Sequence, residues 1–250
     1  MSVSVQLYSV RHAIDADLPA AVGRLAEIGF TQAEPYNFVA LAQDLATAFA
    51  ANGMTAPTGH APLLSGDQDA IFAAAKRLGI TTVFEPFVPD ERWQDADAIR
   101  ETAARLNQAA ELGARHGIRV GYHNHWWELE SSVEGTTGLE FFAGLLDPDV
   151  VLEVDTYWAA TGGADPAALL DRLGSRVVAV HLKDGPKTLD TKAQVPAGQG
   201  AMDVPGVIAA ARSMEVGVIE FDDYAGDIFA GLAESLAFVR ATLAKAERGE

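Results

Sequence analysis

Hydrophobic positions along the chain follow two alternating rhythms. Short runs rich in β-branched and aromatic residues alternate with longer Ala- and Leu-rich stretches, the pattern of repeated strand–helix units feeding a parallel sheet. The predicted strands are Val3–Tyr8, Phe30–Tyr36, Met54–Gly59, Thr81–Pro86, Arg119–His123, Val150–Asp155, Val177–Leu182 and Val216–Phe221. Predicted helices between and after them include Leu18–Ile28, Leu41–Asn52, Asp67–Leu78, Ile99–His116, Leu139–Leu146, Pro166–Leu173, Val204–Met214 and Ile228–Lys245. Gly29, Gly53, Gly79 and Gly117 directly follow four of these helices. Glycine takes the left-handed conformation that closes a helix, so the recurrence punctuates a repeated unit. Eight such units in 250 residues predict an α/β fold, a single (β/α)8 or TIM barrel over residues 1–250. An open doubly wound sheet usually has fewer strands and often a glycine-rich phosphate loop after the first one. Here the first strand runs Val5-Gln6-Leu7-Tyr8-Ser9-Val10, without glycine. No composition shift divides the chain. The one long irregular segment, Lys183 to Met202, has the length of a functional lid or a disordered loop.

Alternate residues of a barrel strand face the interior, and the strands' C-terminal ends open into the mouth where barrel enzymes keep their chemistry. Each predicted strand ends in polar or ionisable residues: Gln6 and Tyr8, Glu34, His60 just past the third strand, Glu85, His123 with Asn124 and His125, Asp155, His181 with Lys183, and Glu220. Any one alone reads as a solvated rim residue; their convergence at one end reads as a site. The sharpest subset is His123, Asp155, His181 and Glu220. Two carboxylates and two imidazoles make a mixed N/O ligand set for one divalent ion of Mn, Zn, Fe, Co or Ni, with Mg less natural. Such an ion also offsets the cost of placing several carboxylates in one mouth.

Around the first four strands, Gln6, Tyr8, Glu34, His60 and Glu85 are expected to bind substrate hydroxyls. Trp126 and Trp158, with Trp127, stand where they would stack on a sugar face, at least one of them being packed core. Lys183 follows His181 by two residues and so points inward with it, to hold an oxyanion or a phosphate; a rim lysine in solvent is the equal alternative. Arg119 and Glu153 lie deeper and read as a buried ion pair.

Composition narrows the classes. The chain carries 18 Lys and Arg against 35 Asp and Glu, a formal net charge of −17. It repels polyanions, which argues against nucleic acid; a small neutral sugar, or a substrate held mainly by a metal, suits it better. There is no cysteine, which excludes disulfides, thiolate metal sites and cysteine nucleophiles. No apolar run approaches membrane-spanning length, so no membrane partner is expected. Met1 to Tyr8 lacks basic residues and reads as a first strand rather than a signal peptide. A cytoplasmic protein fits these features.

At the strand ends the chain resembles the sugar phosphate isomerase/epimerase superfamily, the xylose-isomerase-like barrels that include inosose dehydratases, hydroxypyruvate isomerases, ketose 3-epimerases and endonuclease IV. The resemblance runs through Val5-Gln6-Leu7-Tyr8-Ser9-Val10-Arg11, Gly121-Tyr122-His123-Asn124-His125, Leu152-Glu153-Val154-Asp155-Thr156-Tyr157-Trp158, Val180-His181-Leu182-Lys183-Asp184, Gly198-Gln199-Gly200-Ala201-Met202-Asp203 and Val218-Ile219-Glu220-Phe221-Asp222-Asp223. It covers nearly the whole chain, and the order and spacing of the motifs make it specific. It implies that Asp155, His181 and Glu220 are metal ligands. The fifth-strand ligand of the family is commonly a glutamate, and His123 stands there instead. That departure removes one carboxylate of the pair with which the epimerases swap a proton across a carbon. It also makes the ligand set one charge less negative.

The resemblance further implies chemistry at a metal-polarised carbonyl of a keto-sugar. The neighbouring C–H is acidified, and Glu220 or His125 accepts the proton to give an enediolate, with Lys183 beside the oxyanion. Return of the proton makes an isomerase or an epimerase, the first expectation by analogy with the named relatives. Expulsion of a β-hydroxyl makes a dehydratase or lyase, the runner-up. A non-catalytic sugar-binding barrel and a subunit of a larger enzyme acting on 3-keto-glycosides are readings from other classes. The DNA chemistry of endonuclease IV conflicts with the charge. Relatives often form dimers or tetramers, which leaves a homo-oligomer open.

Overall fold

The β-rich runs become eight parallel strands in the computed structural model, which describes residues 2–248. They are β1 Ser2–Gln6, β2 Ala33–Glu34, β3 Thr58–His60, β4 Thr82–Glu85, β5 Arg119–His123, β6 Val151–Asp155, β7 Val177–Leu182 and β8 Val216–Ile219. Strands adjacent in sequence pair in parallel, and β8 returns to pair with β1. The remaining gap, β2 to β3, is closed by bridges from Gln32 to Thr55 and from Tyr36 to His60. There Ala33 N donates to Thr55 O at 2.9 Å and His60 N to Pro35 O at 2.8 Å. The ring is the expected (β/α)8 barrel.

Proline explains why β2 and β3 are shorter than the hydrophobic runs that predict them. Pro35 and Pro57 have no N–H to donate, so the ladder stops or starts beside them. β1 stops at Gln6, whose side chain accepts from Tyr8 N at 3.2 Å, and a 3-10 turn, Leu7–Val10, carries Tyr8 to the rim. His60 is the last residue of β3 rather than lying just past it.

Among the described residues the eight longest helices are α1 Arg11–Ile28, α2 Ala42–Asn52, α3 Gln68–Leu78, α4 Ala96–His116, α5 Gly138–Leu145, α6 Pro166–Leu173, α7 Val204–Ala210 and α8 Ile228–Arg248, and two short ones, Trp127–Glu130 and Thr156–Thr161, follow β5 and β6. The predicted start at Leu18 marks a real boundary inside α1. Asp17 is non-helical (φ −161°, ψ 92°), its carboxylate accepts from Ala20 N at 3.0 Å, and Pro19 follows where its missing N–H costs nothing. Thr137 caps α5: its Oγ1 accepts from Glu140 N at 3.2 Å and donates to the Glu140 carboxylate at 2.9 Å. The four punctuating glycines all close helices with φ between 64° and 113°. Among the described residues no helix is long and apolar enough to cross a membrane.

The helices bury Leu25, Leu45, Phe72, Leu106, Phe142, Leu169 and Leu232 in the layer around the strands. Inside the barrel a small apolar cluster, Phe84, Val151, Val178 and Ala179, fills the lower part. Gly121 makes room for it: a Cβ there would stand 2.6 Å from both Phe84 Cε1 and Val151 O. Above this plug the interior turns polar. Arg119 and Glu153 do not meet. Arg119 opens β5 at the bottom and chelates Glu215, the residue before β8 (Nη1–Oε1 2.9 Å, Nη2–Oε2 2.6 Å). Glu153 pairs in register with His123, four residues further up β5. At roughly 3.3 Å per residue that separation is too long for an ion pair.

Gly121→Ala is expected to lower stability by about 1–3 kcal/mol, the usual cost of overpacking a filled interior. Urea denaturation measures it, and an unchanged midpoint would show that Phe84 yields freely.

Candidate active site

Period-two alternation stacks the interior side chains in layers. Glu153 and Asp155 point inward from β6, His181 and Lys183 from β7 and the loop after it, and Glu220 and Asp222 from the end of β8. Two linked networks result. In the lower one, Glu34 Oε1 accepts from Gln6 Nε2 at 2.9 Å and lies 2.9 Å from His181 Nε2 and 3.2 Å from His60 Nε2. Glu153 Oε2 pairs with His60 Nε2 and lies 3.1 Å from both His123 Nδ1 and His181 Nε2. In the upper one, Lys183 Nζ stands 2.7 Å from Asp155, 2.6 Å from Glu220 and 2.8 Å from Asp222. His181 joins the two, its Nδ1 lying 2.7 Å from Glu220 Oε2.

Burial and pairing oppose each other at every group. Burial alone would raise the carboxyls of Glu34 and Glu153, but the adjacent histidines hold both well below the usual range. Burial lowers His60, yet Glu34 and Glu153 outweigh it and raise His60 to about 10. His181 is raised by Glu153 and Glu220 in the same way. His123 has no such surplus of carboxylate; burial and the neighbouring His181 depress it and keep it neutral. Burial, then Lys183, lowers His125 to about 3. Its ring stacks on Trp127 at 4.4 Å, and its Nδ1 is buried without a hydrogen-bond partner. Glu34 Oε2 and Glu153 Oε1 are also buried and unpartnered.

Above the networks opens a cavity of about 560 Å³. Of the expected residues, Gln6, Tyr8, His60, His123, His125, Trp126, Trp158 and Glu220 line it. Glu34, Asp155, His181 and Lys183 are buried and join the same networks. Glu85 is not brought in: its carboxylate accepts from Leu64 N at 2.7 Å and Phe87 N at 3.2 Å, tying the loop after β3 to the loop after β4. Trp126 packs on Trp158 at 4.9 Å, and Lys183 Nζ lies 5.4 Å over the Trp158 ring. Glu153, Asp222, Arg11, Tyr36 and Phe87 went unnoticed as site residues. The first two carry a readable signal, since each stands two places from a recognised inward residue.

Asp184 explains the Gly198-Gln199-Gly200 motif. Its buried carboxylate accepts from four main-chain amides, those of Gly185 (2.8 Å), Gly198 (2.8 Å), Gly200 (3.0 Å) and Met202 (3.0 Å). A Cβ on Gly200 would collide with that carboxylate. The loop so clasped brings Gln194 to Asp222, where Nε2 donates to Oδ2 at 2.7 Å and Oε1 accepts from Asp222 N at 2.9 Å. It also places Leu189 and Thr191 on the cavity wall.

A parallel eight-stranded ring with ionisable groups gathered at the C-terminal ends of its strands defines the class of (β/α)8 barrel proteins that work at that mouth. The profile of the xylose isomerase-like TIM barrel family matches residues 22–242, and the chain belongs to that family. It is 31% identical over 107 residues to an inosose dehydratase of Clostridium tetani, a match covering 42% of this chain and 33% of that protein. It is 28% identical over 159 residues to inosose dehydratase 2 of Bacillus cereus, covering 60% and 46%. The matches thus span less than half the length of either relative. A sugar phosphate isomerase/epimerase from Parabacteroides distasonis superposes with a TM-score of 0.82 at 23% identity, over 96% of this chain and 93% of that one. The IolI protein, solved with a bound zinc atom, superposes at 0.77 with 14% identity, over 98% and 99%. At these identities the two structures speak for the fold alone.

One buried acid beside the site gives a pH prediction. Glu128 accepts from Tyr122 Oη at 2.7 Å and His125 N at 2.9 Å, yet burial pushes its carboxyl up from 4.5 to about 8. A folded-state value above the unfolded one means the fold holds this proton more tightly. The stabilisation it gives is complete below pH 4.5 and lost as pH rises through about 8. Glu128→Gln is therefore expected to melt higher than the parent above pH 8 and to lose that advantage below pH 4.5. A gap of equal size at both ends would refute the assignment.

Proposed function

We propose that this chain removes a proton from the carbon next to the carbonyl of a keto-sugar, giving an enediolate, as a metal-dependent isomerase or epimerase. The observation that carries this reading is that Glu220, just after β8, and His125, two residues after β5, line one cavity above a buried histidine–carboxylate nest. The nest fits a divalent ion of Mn, Zn, Fe, Co or Ni: it offers imidazole and carboxylate donors together, and it leaves Glu34 Oε2 and Glu153 Oε1 buried and unsatisfied. Two donor groups share His181, one of His60, His123 and Glu153, the other of Asp155 and Glu220. The expected set of His123, Asp155, His181 and Glu220 draws on both. When bound, the ion supplies Lewis acidity at the substrate carbonyl.

The chain's own residues do the rest. Glu220 keeps Oε2 on His181 and Lys183 and offers Oε1 to the substrate C–H. His125, neutral and lining the same cavity, takes or returns a hydroxyl proton. Lys183, fixed over Trp158, keeps its charge near the oxyanion. Gln6, His60, Tyr8, Trp126 and Trp158 hold the ring by its hydroxyls and apolar faces. The xylose isomerase-like character of the family supports a sugar as the class of substrate.

A second reading, dehydratase or lyase, is favoured by the inequality of these two groups. A carboxylate on one side and an imidazole on the other suit removal of a proton and departure of a β-hydroxyl better than exchange between equal bases. The inosose dehydratases among the relatives support it.

The test is incubation of the metal-loaded protein with inososes and ketoses in D2O, followed by mass spectrometry and NMR. Deuterium at the α-carbon with unchanged formula identifies isomerisation or epimerisation, and loss of one water identifies elimination. Glu220→Gln is expected to lower either rate by about 10²–10⁴-fold. Binding of sugars with neither exchange nor elimination would leave a sugar-binding barrel instead.

A further inference from the structure

The cavity above the networks is graded from floor to mouth. Its floor is polar: Gln6, His60, His123 and Glu220 line it and are all buried. Its mouth is apolar and open. Among the described residues four large apolar side chains are exposed, Tyr8, Val39, Phe87 and Leu189, and all but Val39 line this cavity. Exposed apolar side chains scattered singly need no explanation, but three gathered at one opening mark a place where something apolar binds. They come from separate segments: Tyr8 from the turn after β1, Phe87 from the loop after β4, and Leu189 from the loop that Asp184 clasps.

The rings beside them extend the same surface. Phe87 meets Trp127 edge to face at 5.6 Å, Trp127 meets Trp126 at 4.5 Å, and Tyr8 meets Tyr36 at 5.3 Å. Trp126 and Trp158 already offer a sugar ring an aromatic face, so Phe87, Leu189 and Tyr36 are apolar surface beyond what the sugar uses. The volume, about 560 Å³, is that of a cleft for a drug-sized molecule rather than a lone monosaccharide.

Charge at the mouth selects against one kind of substituent. Glu220, Asp222 and Asp223 line the cavity, and among the described residues Arg11 is the one Lys or Arg that does. Arg11 is already engaged: its Cζ lies 4.2 Å over the Tyr8 ring, and its Nη1 donates to Tyr8 O at 2.9 Å. A phosphate dianion at the mouth would face three carboxylates with one occupied cation to offset them. A neutral apolar group meets no such opposition.

We propose that the substrate is an unphosphorylated sugar bearing a planar apolar substituent, such as the aryl group of an aryl glycoside. The substituent lies among Tyr8, Phe87 and Leu189 while the sugar reaches the buried polar floor. This inference rests on the reading of the chain as a sugar-handling barrel and names what else its substrate carries.

Titration calorimetry on the unaltered protein, supplied with Zn(II), compares the methyl and phenyl β-glycosides of glucose and xylose, and glucose with glucose 6-phosphate. Each phenyl glycoside is expected to bind at least about tenfold more tightly than its methyl counterpart, the gain from burying part of one ring. Glucose 6-phosphate is expected to bind no better than glucose. Phe87→Ala and Leu189→Ala, at exposed positions outside the core, should each lower the phenyl-to-methyl ratio by about three- to tenfold. Val39→Ala, exposed but outside the cavity lining, should leave the ratio unchanged. Sugars that bind without a phenyl preference, or glucose 6-phosphate binding more tightly than glucose, would overturn this inference and leave the sugar-handling reading standing. Failure of every one of these sugars to bind would overturn both. Sedimentation tests the other occupant: a dimer that Phe87→Ala and Leu189→Ala dissociate, with the ratio unchanged, would give the mouth to a second copy of the chain and refute the substituent.

Discussion

Five carboxylates, those of Glu34, Glu153, Asp155, Glu220 and Asp222, stand at the top of one narrow barrel, and the repulsion among them is what the surrounding structure answers. An unpaired buried charge costs several kcal/mol, so each must find a partner within a few ångströms. Lys183 answers three of them, and His60 and His181 answer the others. That requirement fixes much else. Lys183 must be drawn inward past the end of β7, so the following loop is clasped through Asp184. Asp222 must be held where Lys183 can reach it, so Gln194 grips both its backbone and its side chain. The polar upper barrel is stable because it is a closed set of charges resting on an apolar plug.

This arrangement also gives His123 its character. It is level with Glu153 in the ladder and close to two imidazoles that carry positive charge, so it remains neutral while its neighbours are protonated. A glutamate at the same place would add a sixth carboxylate beside these five. A neutral imidazole at this position and the presence of Lys183 at the upper carboxylates are thus two sides of one charge balance.

Most of the fold was legible because a barrel repeats one unit and every unit carries the same punctuation. The glycine stops and the alternating runs placed all eight strands and closed four helices. Where the strands came out short, Pro35 and Pro57 were in plain view, but a hydrophobic count does not weigh a missing N–H. The site was legible in outline, because ionisable residues recur at strand ends. The pairing within it was not. Arg119 and Glu153 share inward parity but belong to opposite ends of the barrel, and parity carries no height without the register between strands. Glu85 was misjudged for a related reason. Its carboxylate is claimed by two main-chain amides of neighbouring loops, and a sequence does not show which backbone groups lack partners.

The clasp around Asp184 separates two things that loops usually combine. The shape of the segment from Lys183 to Met202 is set by main-chain amides closing on one buried carboxylate, whereas the side chains it shows to the cavity, Leu189 and Thr191, take no part in that closure. Leu189 is 56% exposed and Phe87, which also lines the cavity, 54%. The rim can therefore exchange its side chains without disturbing the charges below. A barrel built this way can diversify in the molecules it admits while its chemistry stays the same, which is a route by which one scaffold comes to serve many related sugars.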